Sequence, residues 1–210
     1  HMKTIEHDES RQRSMIEGAA ERLRNAGYPV GDLSIRPLLD GLKQLEQWQL
    51  FHAERERVRL GTLQLIQPFD EGLAATFEER CLALQNVEEL EELEALAEEV
   101  QGVAQSLEQR RKALSDTIQE WRALGIVFPH SGELHPNDLM EWETNHDEVA
   151  AKVGQHLKLV ERWNRFQRYW PSRTEASREL IGHLDDTDRL RDAVDSLDAL
   201  WKKLELDGLD

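Results

Sequence analysis

The chain has 210 residues, 39% of them hydrophobic and 32% charged, with a formal net charge of -16. That length can bury a core, the charge is heavier than an average domain carries, and the acidity disfavours wrapping by nucleic acid or adsorption to anionic lipid, though it allows a local basic patch. No apolar run approaches the roughly 18 residues of a spanning helix, so no membrane segment is expected. His1-Met2 reads as a tag remnant. The lone Cys81 cannot form an internal disulfide and fits a reducing, cytoplasmic location; its spacing from Phe77 and Leu84 reads as a small core residue.

In chain order, a first helix is expected over Asp8–Ala26, with Met15, Ala19 or Ala20, and Leu23 inward and a stop at Gly27. A loop over Gly27–Leu33 leads to a second helix, Ile35–Ile66, carrying Leu38, Leu42, Leu45, Trp48, Phe51 and His52 and ending before Pro68. A short helix covers Asp70–Leu84. The longest pattern follows, Asn86–Leu124, with a stripe of Leu90, Leu93, Ala97, Val100, Ala104, Leu107, Leu114, Ile118 and Trp121 at three-to-four spacing, interrupted by Arg111. Asn86 suits the N-cap, Glu88 and Glu89 suit the positive helix end, and Gly125 suits a left-handed stop. Pro129, Gly132 and Pro136 exclude helix from the next loop. Helices are then expected over Asn137–Tyr169, Ser172–His183, and from a cap at Asp186 to Leu206. No segment alternates cleanly enough to be a strand.

The two halves share landmarks about a hundred residues apart. Gly27-Tyr28 matches Gly125-Ile126, Pro37 matches Pro136, Trp48 and His52 match Trp142 and His146, Gly61 matches Gly154, and Asn86 matches Asp186. The expected fold is all-α, an elongated helical bundle or coiled-coil array of two tandem three-helix units of about a hundred residues each. The expected divisions are a first unit at 3–85, a bridging coiled-coil-like helix at 86–124, a second unit at 125–185, and the start of a third at 186–210. A helix of about 39 residues spans roughly 58 Å, beyond the roughly 44 Å expected of a compact sphere of this length; hence the expected elongation.

The end of the chain carries Glu179-Leu180-Ile181, then Leu190, Val194, Leu197 and Leu200-Trp201-Lys202-Lys203-Leu204. This resembles the close of a middle helix and the Trp-bearing last helix of a spectrin-like three-helix repeat, over some thirty residues. The resemblance implies a spacer or scaffold.

Four groups of residues are candidate sites. Leu93, Ala97, Val100, Ala104, Leu107 and Arg111 form a seam on the long helix where small alanines admit a second backbone, so self-association as a homodimer, or a protein partner, is expected there. Arg162, Arg165, Arg168 and Arg173 interleave with Trp163, Phe166, Tyr169 and Trp170, a pattern that suits another protein surface or, less favourably, single-stranded nucleic acid. Glu143 and His146 have the spacing of a bundle metal pair, but no second pair accompanies them; His146 and His156 are read as packed histidines with a pH role open. His130, Glu133 and His135 are weaker metal candidates, since loop histidines without cysteines are usually solvated. No cofactor, metal or catalytic residue is expected. The expected role is a non-enzymatic scaffold, spacer or dimerising arm of a larger intracellular protein, with a regulatory protein-binding module and then nucleic-acid binding as alternatives.

Overall fold

A computed structural model describes residues 2–128 and 134–206, with side chains from residue 9 to 205 of that range. The described residues are helical throughout, apart from turns and one isolated backbone bridge between Val127 and His183. No helix among them is long and apolar enough to cross a membrane. The helices are α1 (Met2–Asn25), α2 (Leu38–Gly61), α3 (Glu71–Ala83), α4 (Leu90–Ala123), α5 (Leu139–Tyr169), α6 (Pro171–Thr174) and α7 (Thr187–Leu206). They form two compact units, His1–Glu108 and Gln109–Asp210. The division falls inside α4, whose first part belongs to unit 1 and whose last part belongs to unit 2.

Local chemistry explains where the helices begin and end. Asp70 caps α3 by accepting from the Leu73 amide at 2.9 Å, which satisfies one of the orphan donors of the first turn. Before α4, Glu89 reaches back to accept from the Gln85 and Asn86 amides at 2.6 and 2.8 Å. α1 and α4 end alike. Gly27 and Gly125 both have φ of 92°, and the Tyr28 and Ile126 amides donate back to the Leu23 and Trp121 carbonyls, each at 3.1 Å. That is the Schellman stop, which needs a residue tolerant of positive φ.

In unit 1, α2 packs on α1 and α3. Phe51, Leu93 and Val100 are fully buried there, together with Val58 and Ile66. Past Gly61, α2 loosens into a π-helical turn, Thr62–Ile66, closed by the Gln67 amide on the Thr62 carbonyl at 2.9 Å. Gly61 lies where α2 meets α4: a Cβ on it would come within 2.9 Å of the Val100 Cγ1. The glycine therefore lets the two helices approach closely.

In unit 2, α5 packs along α7, and Leu159, Trp163, Phe166, Leu180, Leu190, Val194 and Leu197 form one buried cluster. The helix expected over Ser172–His183 is replaced by the short α6 and a 3-10 segment, Glu175–Gly182. The reason is its inward pattern. Thr174, Ser177 and Leu180 are buried at a spacing of three, which the three residues per turn of a 3-10 helix align directly above one another on one face.

The apolar residues of the expected self-association seam pack inside the chain. Leu93, Ala97, Val100, Ala104 and Leu107 are all buried within the chain, none more than 7% exposed. The stripe is core, and in this structure it is not a free face.

Candidate functional site

The basic-aromatic stretch lies on the C-terminal half of α5, where the helix runs beside α7. Periodicity turns Trp163 and Phe166 inward, at 1% and 8% exposure. Trp163 is fixed by its indole Nε1–H, which donates to Ser177 Oγ at 2.9 Å, and Ser177 in turn donates to the Thr174 carbonyl. This buried chain of donors and acceptors leaves no indole group orphaned. It anchors α5 to the 3-10 segment and so sets where the next turns of α5 point.

Those turns open a cleft of about 380 Å³ between α5 and α7, lined by Arg162, Arg165, Phe166, Tyr169, Asp198 and Trp201. Its apolar wall is aromatic. Tyr169 and Trp170 approach the Trp201 ring at 5.5 and 5.2 Å, and Phe166 stacks on Trp170 at 6.0 Å. Trp201 donates its Nε1–H to Glu205 at 2.6 Å, which leaves the ring face as its remaining contact surface. Tyr169 is 67% exposed.

The charged rim is asymmetric. Arg162 is held by Asp195 at 3.0 Å and by Asp198, and the Asp198 hydrogen bond shifts its proton affinity further up. Arg162 is thereby a fixed strut between α5 and α7. Among the described residues Arg165 is paired with Glu161 alone, at 3.6 Å, both side chains 73% exposed, an arrangement of little energetic weight. Arg168 and Arg173 are exposed, lie outside the cleft lining, and have no ion pair among the described residues.

Of the residues singled out from sequence, the structure thus brings Arg162, Arg165 and Tyr169 together and leaves Arg168 and Arg173 exposed outside the cleft lining. Asp198 and Trp201 come from α7, another helix further along the chain, and the stretch alone gave no signal of them. The acid three residues before Trp201, on the same face of α7, is the only hint.

The other candidates are absorbed by packing. Glu143 is engaged by Arg110, and His146 faces Asp147 through Nδ1 at 3.1 Å while stacking on Trp121 at 6.1 Å, so the two do not form a ligand pair. His156 is fully buried; its Nε2–H donates to the Ile181 carbonyl and its Nδ1 pairs with Thr187 Oγ1, both at 2.9 Å. Arg111 donates to the Leu134 carbonyl at 2.8 Å, inside its own unit. His135 is exposed, and His130 and Glu133 lie outside the described residues. Cys81 is buried; burial pushes its thiol up from the usual range, with Arg55 opposing in part.

No known protein family, curated protein or solved structure matches the chain. The spectrin-like resemblance therefore stands on its residues alone.

Proposed function

We propose that the chain is a non-enzymatic helical scaffold segment of a larger protein, assembled from two tandem units of one design. The observation that carries this reading is a local device found in both units. In each, an arginine fourteen residues before the Schellman glycine reaches past the stop to hold the loop before the next helix: Arg13 donates to the Ser34 carbonyl at 2.8 Å and Arg111 to the Leu134 carbonyl at 2.8 Å. The glycine stops and the proline-led starts of α2 and α5 recur with it. A device repeated with its partners is what a tandem helical array requires.

The test is a distance distribution from paired spin labels at Gln47→Cys and Lys158→Cys, exposed positions in the two units; buried Cys81 stays unlabelled. A spacer gives one narrow population. A broad distribution spanning tens of ångströms would sink this reading.

A second reading, a protein-docking module, is favoured by the aromatic and arginine cleft of unit 2. Tyr, Trp and Arg are the residue types that dominate binding hot spots. With the α4 stripe buried in the core, this cleft replaces it as the proposed partner surface.

A further inference from the structure

We infer that the α5–α7 cleft receives an acidic peptide segment carrying one large apolar side chain. The inference rests on the docking reading of the cleft and adds the chemistry of the occupant.

Charge selects the sign. The chain carries a net charge of -16, yet the stretch 162–173 holds Arg162, Arg165, Arg168 and Arg173 and no acid. Arg162 is already neutralised by Asp195 and Asp198. Arg165 is left with a weak exposed contact, and Arg168 and Arg173 stand free of ion pairs among the described residues. A basic partner would meet these three cations as well as the structural strut. An acidic one would pair with Arg165 at the cleft and, beyond its lining, with Arg168 and Arg173, where screening is incomplete at short range.

The cleft selects an apolar anchor. Its volume of about 380 Å³ lies at the small end of ligand-binding clefts, room for one or two side chains and not for a large ligand. Its wall offers the ring faces of Tyr169 and Trp201, with Phe166 behind them. An aromatic or leucine side chain would bury those faces.

The same geometry argues against a nucleic-acid strand. Asp198 lines the cleft and Glu205 accepts from the edge of the Trp201 indole, so phosphates at the regular spacing of a strand would meet carboxylates beside the rings. A peptide can place its acids over the arginines and its apolar residue over the rings.

The experiment is selection of a displayed library of random dodecapeptides on the full chain, followed by affinity measurement on the enriched peptides. Arg165→Glu and Tyr169→Ala are the variants, both at exposed positions, with the thermal melt as the control for folding. Enriched peptides should be acidic with one aromatic or leucine residue, and each variant should weaken them about tenfold without moving the melt, Arg165→Glu losing its effect in high salt. Neutral or basic peptides that Tyr169→Ala weakens would overturn the acidic occupant while leaving a docking cleft. No enrichment, or binding indifferent to both variants, would overturn the cleft as a docking site too. Tight, salt-steep binding of a short oligothymidylate that Arg165→Glu abolishes would reassign the cleft to single-stranded nucleic acid and so overturn the inference.

Discussion

Both units have a glycine stop and an arginine-held loop but differ at residues that spacing in the sequence pairs, and those differences show what each helix pair does. Gly61 and Gly154 are the clearest case. In unit 1 a Cβ at Gly61 would press on Val100, whereas at Gly154 it would meet nothing within 4 Å. The same residue type is a packing requirement in one unit and a conformational cost in the other. The last helices differ in a similar way. On the α4 stripe Ala104 and Leu107 are buried, whereas on α7 Trp201 and Leu204 are only half-buried. A small residue on the first stripe closes the core, and a large ring on the second builds the wall of a cleft. The aromatic-histidine corner diverges too: Tyr28 OH lies 2.9 Å from His52 Nδ1 in unit 1, while His146 stacks on Trp121 in unit 2.

The largest effects are expected where each core is deepest. Phe51→Ala in unit 1 and Trp163→Ala in unit 2 should each cost about 3–5 kcal/mol, and native-state hydrogen exchange should report the loss mainly in the unit that carries the change. Equal loss in both units would mean that they unfold as one.

Among the histidines, His156→Ala should cost about 2–4 kcal/mol, since it opens a cavity and leaves the Ile181 carbonyl without its donor. His146→Ala, at a half-exposed ring, should cost under about 1 kcal/mol. Denaturant titration of the two variants distinguishes them, and similar midpoints would contradict the assigned packing.

The glycine pair should split in sign. Gly61→Ala should destabilise by about 1–3 kcal/mol through overpacking against Val100, and Gly154→Ala should stabilise by up to about 1 kcal/mol through helix propensity alone. Thermal melts measure both, and a stabilised Gly61→Ala would show that α2 and α4 can move apart at no cost.

The smallest effect concerns pH. Burial raises the proton affinity of Cys81 and of Tyr28, so the fold favours their neutral forms. Stability from these groups is intact below the unfolded values, 9.0 for Cys81 and 10.0 for Tyr28, and is lost as pH rises through the higher folded values. Unit 1, which holds both, should therefore loosen in alkali. Alkylation of Cys81 near pH 8 should be much slower in the folded chain than in denaturant; comparable rates would show the thiol to be accessible.

Much of the fold was legible from residue pattern. The stripe from Leu90 to Trp121 specifies α4, and Gly27 and Gly125 specify its stop and that of α1, because helical periodicity and positive φ are local requirements. The 3-10 path at 175–182 was not legible, since its three-residue spacing, Thr174, Ser177 and Leu180, is set by what α5 and α7 leave room for. The candidate site was half legible. Arg162, Arg165 and Tyr169 stood out as alternating cations and rings, but whether an arginine is a strut or a free charge depends on Asp195 and Asp198 across the interface.

By itself the sequence determined an all-helical chain, the places where its helices stop, and the faces that must be buried, because turn chemistry and apolar period act between near neighbours. Only the tertiary structure decided that the Leu93–Leu107 stripe is core and that the rings around Trp201 remain partly uncovered. Burial is a property of which helices meet, and that depends on side-chain volumes and pairings between segments far apart in the chain.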